Sequence, residues 1–100
     1  MKIKVLNKFW KIIVRTDKSH DAKFKECHAI AILDDRKIHV RRSSLNKETI
    51  IHELIHAYQH ELSFYELELD DGQVDEWFAE LFAKYGKMIL DDAERLIKNG

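Results

Sequence analysis

The sequence predicts one α+β domain over residues 1–100, in which a small antiparallel sheet of about three strands in the N-terminal half packs against helices. The chain has 100 residues, the length of a single domain with one modest core. Apolar residues make up 45% and charged residues 35%, which is typical of a globular chain rather than a disordered one. Strand-like segments come first and helical segments follow, and this order favours α+β.

The N-terminal half supplies the predicted strands. Residues 2–14 are rich in β-branched and aromatic side chains and predict one strand or two, although the spacing also allows a short helix around residues 7–11. Residues 16–27 are polar and predict a connection. The apolar run 29–33 and the segment 38–40 flank Asp34 and Asp35, which indicates a hairpin with the aspartates at its turn.

The C-terminal half supplies the predicted helices. Asn46 is a good N-cap for a helix over residues 46–63, and Glu48 lies where the helix dipole favours an anion. Apolar residues at helical spacing mark one face of it: Ile51, Leu54, Ile55, Tyr58 and Leu62. A second helix is expected over residues 73–85. Gly86 is expected to end or bend it before a C-terminal helix over 87–98.

Composition also excludes several classes of protein. No apolar run approaches the ~20 residues of a membrane-spanning helix, and the N-terminus has no signal-peptide pattern. Cys27 is the single cysteine, so no internal disulfide is possible and a reducing cytoplasm is expected. The net charge is +7 over residues 1–50 and −8 over 51–100, and we expect these opposite fields to face each other or cancel. We expect no nucleic-acid partner and no membrane partner.

The first predicted helix carries the sequence His52-Glu53-Leu54-Ile55-His56. Residues four apart lie on the same helix face, so both imidazoles can reach one metal ion. Glu53, next to the first histidine, is placed to accept a proton from a metal-activated water molecule. Two histidines with a carboxylate suit Zn²⁺. The simpler alternative is two exposed histidines on an amphipathic helix with an unrelated glutamate between them.

This motif, followed by Asp75-Glu76-Trp77-Phe78-Ala79-Glu80, resembles the gluzincin metallopeptidases. The wider stretch, residues 27–83, is similar to the minigluzincins and to the short phage-type metallopeptidases related to the ImmA/IrrE proteins. The resemblance implies a third zinc ligand 24 residues after the first histidine, at Glu76, and a hydrogen bond that Glu80 accepts from the other ring nitrogen of His52. Trp77 and Phe78 depart from the small residues that follow the ligand in related signatures, which leaves Asp75 and Glu80 as other contenders.

Other residues have more than one interpretation. His60 is either a surface histidine, a substitute ligand or a transition-state donor, and Cys27 is either a buried cysteine or a thiolate that reaches the zinc. Any of the three tyrosines could stabilise an oxyanion. The aromatic side chains Trp77, Phe78 and Phe82 are expected in the core between the two helices, together with Leu81.

The expected function is zinc-dependent hydrolysis of peptide bonds in a peptide or protein substrate, by a monomer or weak homo-oligomer. The strand near 29–33 or the one near 38–40 could pair with an extended substrate. The resemblance also implies a latent enzyme in which residues 87–100 cover the cleft; alternatively, they form a helix that completes the core through Met88, Ile89, Leu96 and Ile97. Two other functions stay open: a non-catalytic metal-binding regulatory module, and a nucleic-acid binder using the basic half.

Overall fold

The sheet in the N-terminal half contains four strands rather than about three. The computed structural model describes residues 1–16 and 28–99, and the fold within these ranges is α+β, as predicted. The strands are β1 (Lys2–Val5), β2 (Lys8–Arg15), β3 (Ala29–Ile32) and β4 (Lys37–Arg41). Two short 3₁₀ turns, Arg42–Ser44 and Phe64–Glu66, flank helix α1 (Lys47–Glu61), and helix α2 (Asp71–Asn99) completes the described chain.

The sheet is mixed, not antiparallel. Its strand order is β1-β2-β4-β3; the two outer pairs are antiparallel, but β2 and β4 are parallel, with Ile12 opposite Ile38. The predicted hairpin over 29–40 is confirmed, and residues 2–14 form two strands rather than one. The antiparallel prediction was wrong because the hairpin docks on β2 through its second strand, β4. This arrangement leaves β3 as an edge strand of the described sheet.

Leu6 and Asn7 form the turn between β1 and β2, and both have positive φ angles, 48° and 69°. Two-residue hairpin turns with positive φ at both positions match the right-handed twist of the strands that they join. Asn7 tolerates this conformation better than most residues do. The turn therefore joins two strands into a hairpin, and the short helix that the sequence also allowed around residues 7–11 does not form.

The core lies between one face of the sheet and the two helices. Alternate strand residues point inward: on β1, Ile3 and Val5 are buried, whereas Lys2 and Lys4 are exposed. The inward-facing side chains of the other strands and of α1 complete this layer; the largest are Trp10, Ile12, Ile38, Val40, Ile50, Leu54 and Tyr58. Burial of these apolar side chains is the main stabilising term of the fold.

Helix α1 begins and ends with specific contacts. The Asn46 side chain accepts a hydrogen bond from the Thr49 backbone N–H, which confirms the predicted N-cap. At the other end, the buried Glu61 carboxylate accepts hydrogen bonds from Trp10 Nε1 and Arg36 Nε. These bonds join α1 to β2 and to the turn of the β3–β4 hairpin, and they hold the helix that carries the histidine motif in position.

Helix α2 is continuous through Gly86, so the prediction that the helix ends there was wrong. Gly86 is buried in the middle of the helix, and a Cβ at this position would lie 3.3 Å from Cδ1 of Phe82, a tight contact that the ring would have to relieve by a small shift. The buried face of α2 carries Leu81, Ile89, Ala93 and Leu96. The C-terminal part of α2 is thus a core element, although Met88 is 50% exposed and not in the core.

Two ion pairs link the basic and acidic halves of the chain. Arg36 bonds to Glu61, and Lys47 Nζ lies 2.8 Å from Glu94 Oε1. Both pairs agree with the expectation that the opposite fields face each other. Within the described residues, no helix combines the length and apolar content that crossing a membrane requires.

Candidate metal and catalytic site

The two motif histidines converge on one point in space. Four residues separate them on α1, so their side chains stand one turn apart on the same face. His52 Nε2 and His56 Nε2 lie 3.2 Å apart, and the ring centroids are 4.8 Å apart. Two nitrogens that each lie 2.0–2.1 Å from one tetrahedral zinc ion are about 3.3 Å apart. The pair therefore has the separation that two ligands of a single ion need.

Glu53 lies beside this pair but is turned toward the protein interior. Its side chain is only 8% exposed, whereas that of His52 is 68% exposed, and Glu53 Oε1 lies 3.9 Å from His52 Nε2. Burial raises the pKa of the Glu53 carboxyl, while the His56 and His52 rings and a hydrogen bond from the Ala31 backbone lower it by less. A carboxyl group with a raised pKa is better suited to accept and return a proton near neutral pH.

The other ring nitrogen of His56 is engaged in a small hydrogen-bonded network. His56 Nδ1 lies 3.0 Å from Gln59 Oε1 and 3.0 Å from Tyr65 Oη, and the Tyr65 hydroxyl donates to Gln59 Oε1 at 2.9 Å. Ser63, in the left-handed conformation with φ 57°, turns the chain after α1 and brings Tyr65 back to the helix. The network leaves Nε2 of His56 facing His52.

A cleft of about 390 Å³ opens between α1 and the edge strand β3. Small and apolar residues of the strand form one wall, and the motif residues and Tyr65 form the other; the lining residues are Ala29, Ile30, Ala31, Leu33, His52, Glu53, His56 and Tyr65. Of the two strands that were expected to pair with substrate, β3 borders this cleft. The other, β4, is hydrogen-bonded on both sides, to β2 and β3, and has no free edge.

Glu76 and Glu80 do not join the histidines. Both are exposed on α2, and they line a separate depression together with Trp77. At about 100° per residue, Glu76 points about 140° away from both Leu81 and Ile89, which fix the buried side of the helix. The unbroken helix therefore turns Glu76 away from α1, and Asp75 is exposed as well. As folded here, α2 does not bring the expected third ligand or the expected partner of His52 to the site.

The aromatic residues of α2 agree only in part with the expectation that they lie in the core between the two helices. Trp77 and Phe78 pack against Phe64 of the 3₁₀ turn, with ring centroids 4.4 and 5.7 Å away, and Phe64 contacts Tyr65 at 5.7 Å. Phe82, however, is 47% exposed rather than in the core.

Of the remaining described candidates, His60, Tyr58 and Tyr85 lie outside the motif cluster. The His60 ring packs edge-on against the Trp10 ring, with centroids 6.0 Å apart. Cys27 falls outside the described residues. Tyr58 is fully buried against Tyr85, at a centroid distance of 5.3 Å, and neither lines the cleft. Tyr65 is the tyrosine that reaches the site.

The histidine pair fits two ligands of a zinc ion, and the rest of the predicted ligand set does not assemble around it. Across residues 1–16 and 28–99, no three His, Cys, Asp or Glu side chains form a group that could hold a metal ion. The fit rests on the 3.2 Å separation of the Nε2 atoms and on the Nδ1 contacts of His56. Zinc sites in hydrolases have three protein ligands and one open position, so this arrangement is an incomplete version of such a site.

Sequence reasoning missed Gln59 and the Ala31 backbone. Gln59 lies three residues after His56, a spacing that puts both on one helix face and could have identified it. Ala31 could not have been found, because its contact with Glu53 depends on how β3 packs against α1.

Comparisons with known proteins add no relative: no family model matches this chain, and no similar protein was found among curated proteins or solved structures.

Proposed function

We propose that this protein is a metal-dependent peptide hydrolase in which His52 and His56 hold a zinc ion and Glu53 acts as general base. The convergence of the two Nε2 atoms to 3.2 Å carries the proposal. When bound, zinc supplies Lewis-acid chemistry: it polarises a carbonyl oxygen and lowers the pKa of water toward 7. The other roles fall to side chains of the cleft.

Glu53 has the position that proton transfer requires. Its carboxylate lies in the floor of the cleft, 3.9 Å from His52 and shielded from bulk solvent. The backbone N–H of Ala31 and the packing around the carboxylate hold it in place. In this role the carboxylate accepts a proton from the attacking water and delivers it to the amine that leaves.

The cleft suits an extended peptide. The wall opposite the motif is the edge strand β3, and backbone hydrogen bonds to an edge strand bind peptides with little dependence on sequence. We therefore propose a peptide or protein as substrate, with Ala29 and Ala31 leaving room for its side chains. We place the activity in the cytoplasm, in a monomer or weak homo-oligomer.

Latency through residues 87–100 has little support in the described part of the chain. Ile89, Ala93 and Leu96 are buried in the core, and the residues that line the cleft all belong to β3, to the residue that follows it, to α1 and to the turn after α1. The alternative, in which the C-terminal helix completes the core, agrees better with these positions.

A non-catalytic metal-binding module is the second candidate. The observation in its favour is that Glu76 and Glu80 stay on the exposed side of α2, which leaves the histidine pair without a third protein ligand. A two-histidine site binds metal more weakly than a site with three protein ligands and serves regulation or assembly better than hydrolysis.

Glu53→Gln separates the two candidates. The purified full-length protein and this variant are loaded with zinc and incubated with unfolded casein, and new N-termini are identified by mass spectrometry. A hydrolase cleaves casein as wild type, and the variant keeps its zinc while losing cleavage. Zinc binding without cleavage by the wild type would favour the module. Equal cleavage by both proteins would refute the role of Glu53 as general base.

A further inference from the structure

Three polar atoms form a hydrogen-bonded triangle at the edge of the His56 ring that faces away from His52. Its members are His56 Nδ1, Gln59 Oε1 and Tyr65 Oη, separated by 3.0, 3.0 and 2.9 Å. We infer that Gln59 and Tyr65 are positioning residues that keep the ring proton of His56 on Nδ1, and thus keep the lone pair of Nε2 directed at His52.

The direction of the hydrogen bonds leads to this assignment. Gln59 Oε1 is a carbonyl oxygen and can only accept, so the hydroxyl proton of Tyr65 goes to it. The oxygen of Tyr65 is then left as an acceptor toward His56. Because both atoms next to His56 Nδ1 are acceptors, the proton that they share must come from Nδ1 itself. A neutral imidazole with Nδ1 protonated carries its free lone pair on Nε2.

The burial of Gln59 makes this network more than a surface contact. Gln59 is 6% exposed, and buried polar groups are almost always hydrogen-bonded because an unpaired one costs free energy. On α1 it lies three residues after His56, so the helix itself fixes the distance between them. Tyr65 reaches the network after the chain turns at Ser63, and the adjacent Phe64 packs against Trp77.

This arrangement gives α2 an indirect influence on the site. Trp77 holds Phe64, and the adjoining Tyr65 bonds to the network of His56, although Glu76 of the same helix does not approach the histidines. The effect on metal affinity rests on the proposed metal site, whereas the assignment of the ring proton does not. Hydrogen-bond partners of ligating histidines commonly change metal affinity 10–100-fold.

The decisive experiment is ¹⁵N NMR of the histidine rings in the full-length, metal-free protein, at a pH where the rings are neutral. We expect His56 to carry its proton on Nδ1 in the wild type and in Gln59→Glu, which keeps an acceptor oxygen. In Gln59→Met and in Tyr65→Phe we expect a shift toward the Nε2-protonated form, larger in the first. Tyr85→Phe, which removes a hydroxyl remote from the cleft, is the matched control and should leave the ring as in the wild type.

Zinc titrations of the same proteins give the second readout. We expect the affinity to fall 10–100-fold in Gln59→Met and less in Tyr65→Phe, with Gln59→Glu and Tyr85→Phe close to the wild type.

An Nε2-protonated His56 in the wild type, as a reversed Gln59 amide would produce, overturns the inference, and so does an unchanged ring in both loss variants. If Gln59→Met does not fold, Tyr65→Phe alone decides. A wild type with the Nδ1 proton but without zinc binding would refute the proposed function and leave this inference standing.

Discussion

His52 Nε2 and His56 Nε2 lie 3.2 Å apart on one face of α1, with the buried carboxylate of Glu53 3.9 Å from the first of them. Neutral imidazoles approach this closely when one donates a proton to the other or when both bind the same cation. Since the network around His56 assigns its proton to Nδ1, its Nε2 is the acceptor in the metal-free protein. The same lone pair would then serve as a metal ligand.

The position of Glu76 gives a prediction that separates the described fold from the arrangement that the family resemblance implies. Because Glu76 and Glu80 are exposed and turned away from α1, we expect Glu76→Ala and Glu80→Ala to change zinc affinity less than 3-fold, as measured by competition with a chromogenic chelator. Lys84→Ala serves as a surface control on the same helix.

A loss of zinc in Glu76→Ala, with the control unchanged, would show that the metal-bound protein repositions the start of α2. In that case the ligand set implied by the resemblance is formed only when the metal is present, and the fold described here is the metal-free state.

Glu61 should be important for stability rather than for chemistry. Its side chain is 7% exposed, its carboxylate accepts hydrogen bonds from Trp10 and Arg36, and Trp10 is fully buried. Glu61→Ala leaves the Trp10 N–H without a partner, so we expect a loss of about 1–3 kcal/mol in the free energy of unfolding. Each kcal/mol corresponds to about 4–8 °C in Tm for a domain of this size. Thermal unfolding followed by circular dichroism measures it, and Glu61→Gln, which keeps an acceptor oxygen, should lose less. Equal Tm values for all three proteins would contradict this role.

The C-terminal half of α2 should behave as core. Leu96 is 2% exposed, and Leu96→Ala should cost about 2–5 kcal/mol in unfolding free energy through lost burial and the cavity that remains. Leu90→Ala, on the same helix but 47% exposed, is the matched control and should change stability little. If residues 87–100 were instead a plug, Leu96→Ala would raise hydrolysis while leaving the urea midpoint unchanged.

Asp92 should make stability depend on pH in the acidic range. Burial raises the pKa of Asp92, Arg95 partly opposes this, and the charge of Asp91 adds to it. The folded protein therefore binds this proton more tightly than the unfolded chain does, so stability falls as the pH rises through the carboxyl range and stays lower above it.

We expect Asp92→Asn to be at least as stable as the wild type at pH 7 and to lose part of the dependence of unfolding free energy on pH in the acidic range. Urea unfolding at several pH values, with Asp75→Asn as an exposed control, tests this; a destabilised Asp92→Asn at pH 7 would contradict it.

Local patterns predicted the elements well. The Asn46 cap, the α1 stripe and the β3–β4 hairpin all depend on residues within a few positions of one another. The parallel pairing of β2 with β4 was not predictable in this way, because it joins segments that are about 25 positions apart and no local signal selects the partner strand. Gly86 was misread for a related reason: the helix continues through it, and the Phe82 ring lies close to its backbone.

The same distinction holds for the candidate site: contacts between residues close in sequence were predictable, and contacts set by tertiary packing were not. Residues on a single helix, His52, Glu53 and His56, come together as the four-residue spacing requires. The direction in which Glu76 points depends on the rotation of α2 about its axis, which the burial of Leu81 and Ile89 sets. The number of residues between His52 and Glu76 does not reveal this rotation. Tyr65 depends on the turn at Ser63, and the sequence could not distinguish it from the other tyrosines.

The most direct test of the proposed metal site is a Co²⁺ titration of the metal-free protein, followed by visible absorption and compared with His52→Ala, His56→Ala and His60→Ala. We predict that wild type and His60→Ala bind about one equivalent with the same d–d spectrum, and that each of the other variants loses it, because His52 and His56 converge whereas His60 packs against Trp10. A wild type that binds no Co²⁺ and no Zn²⁺, or binding that survives in both His52→Ala and His56→Ala, would contradict the claim that this pair holds a metal.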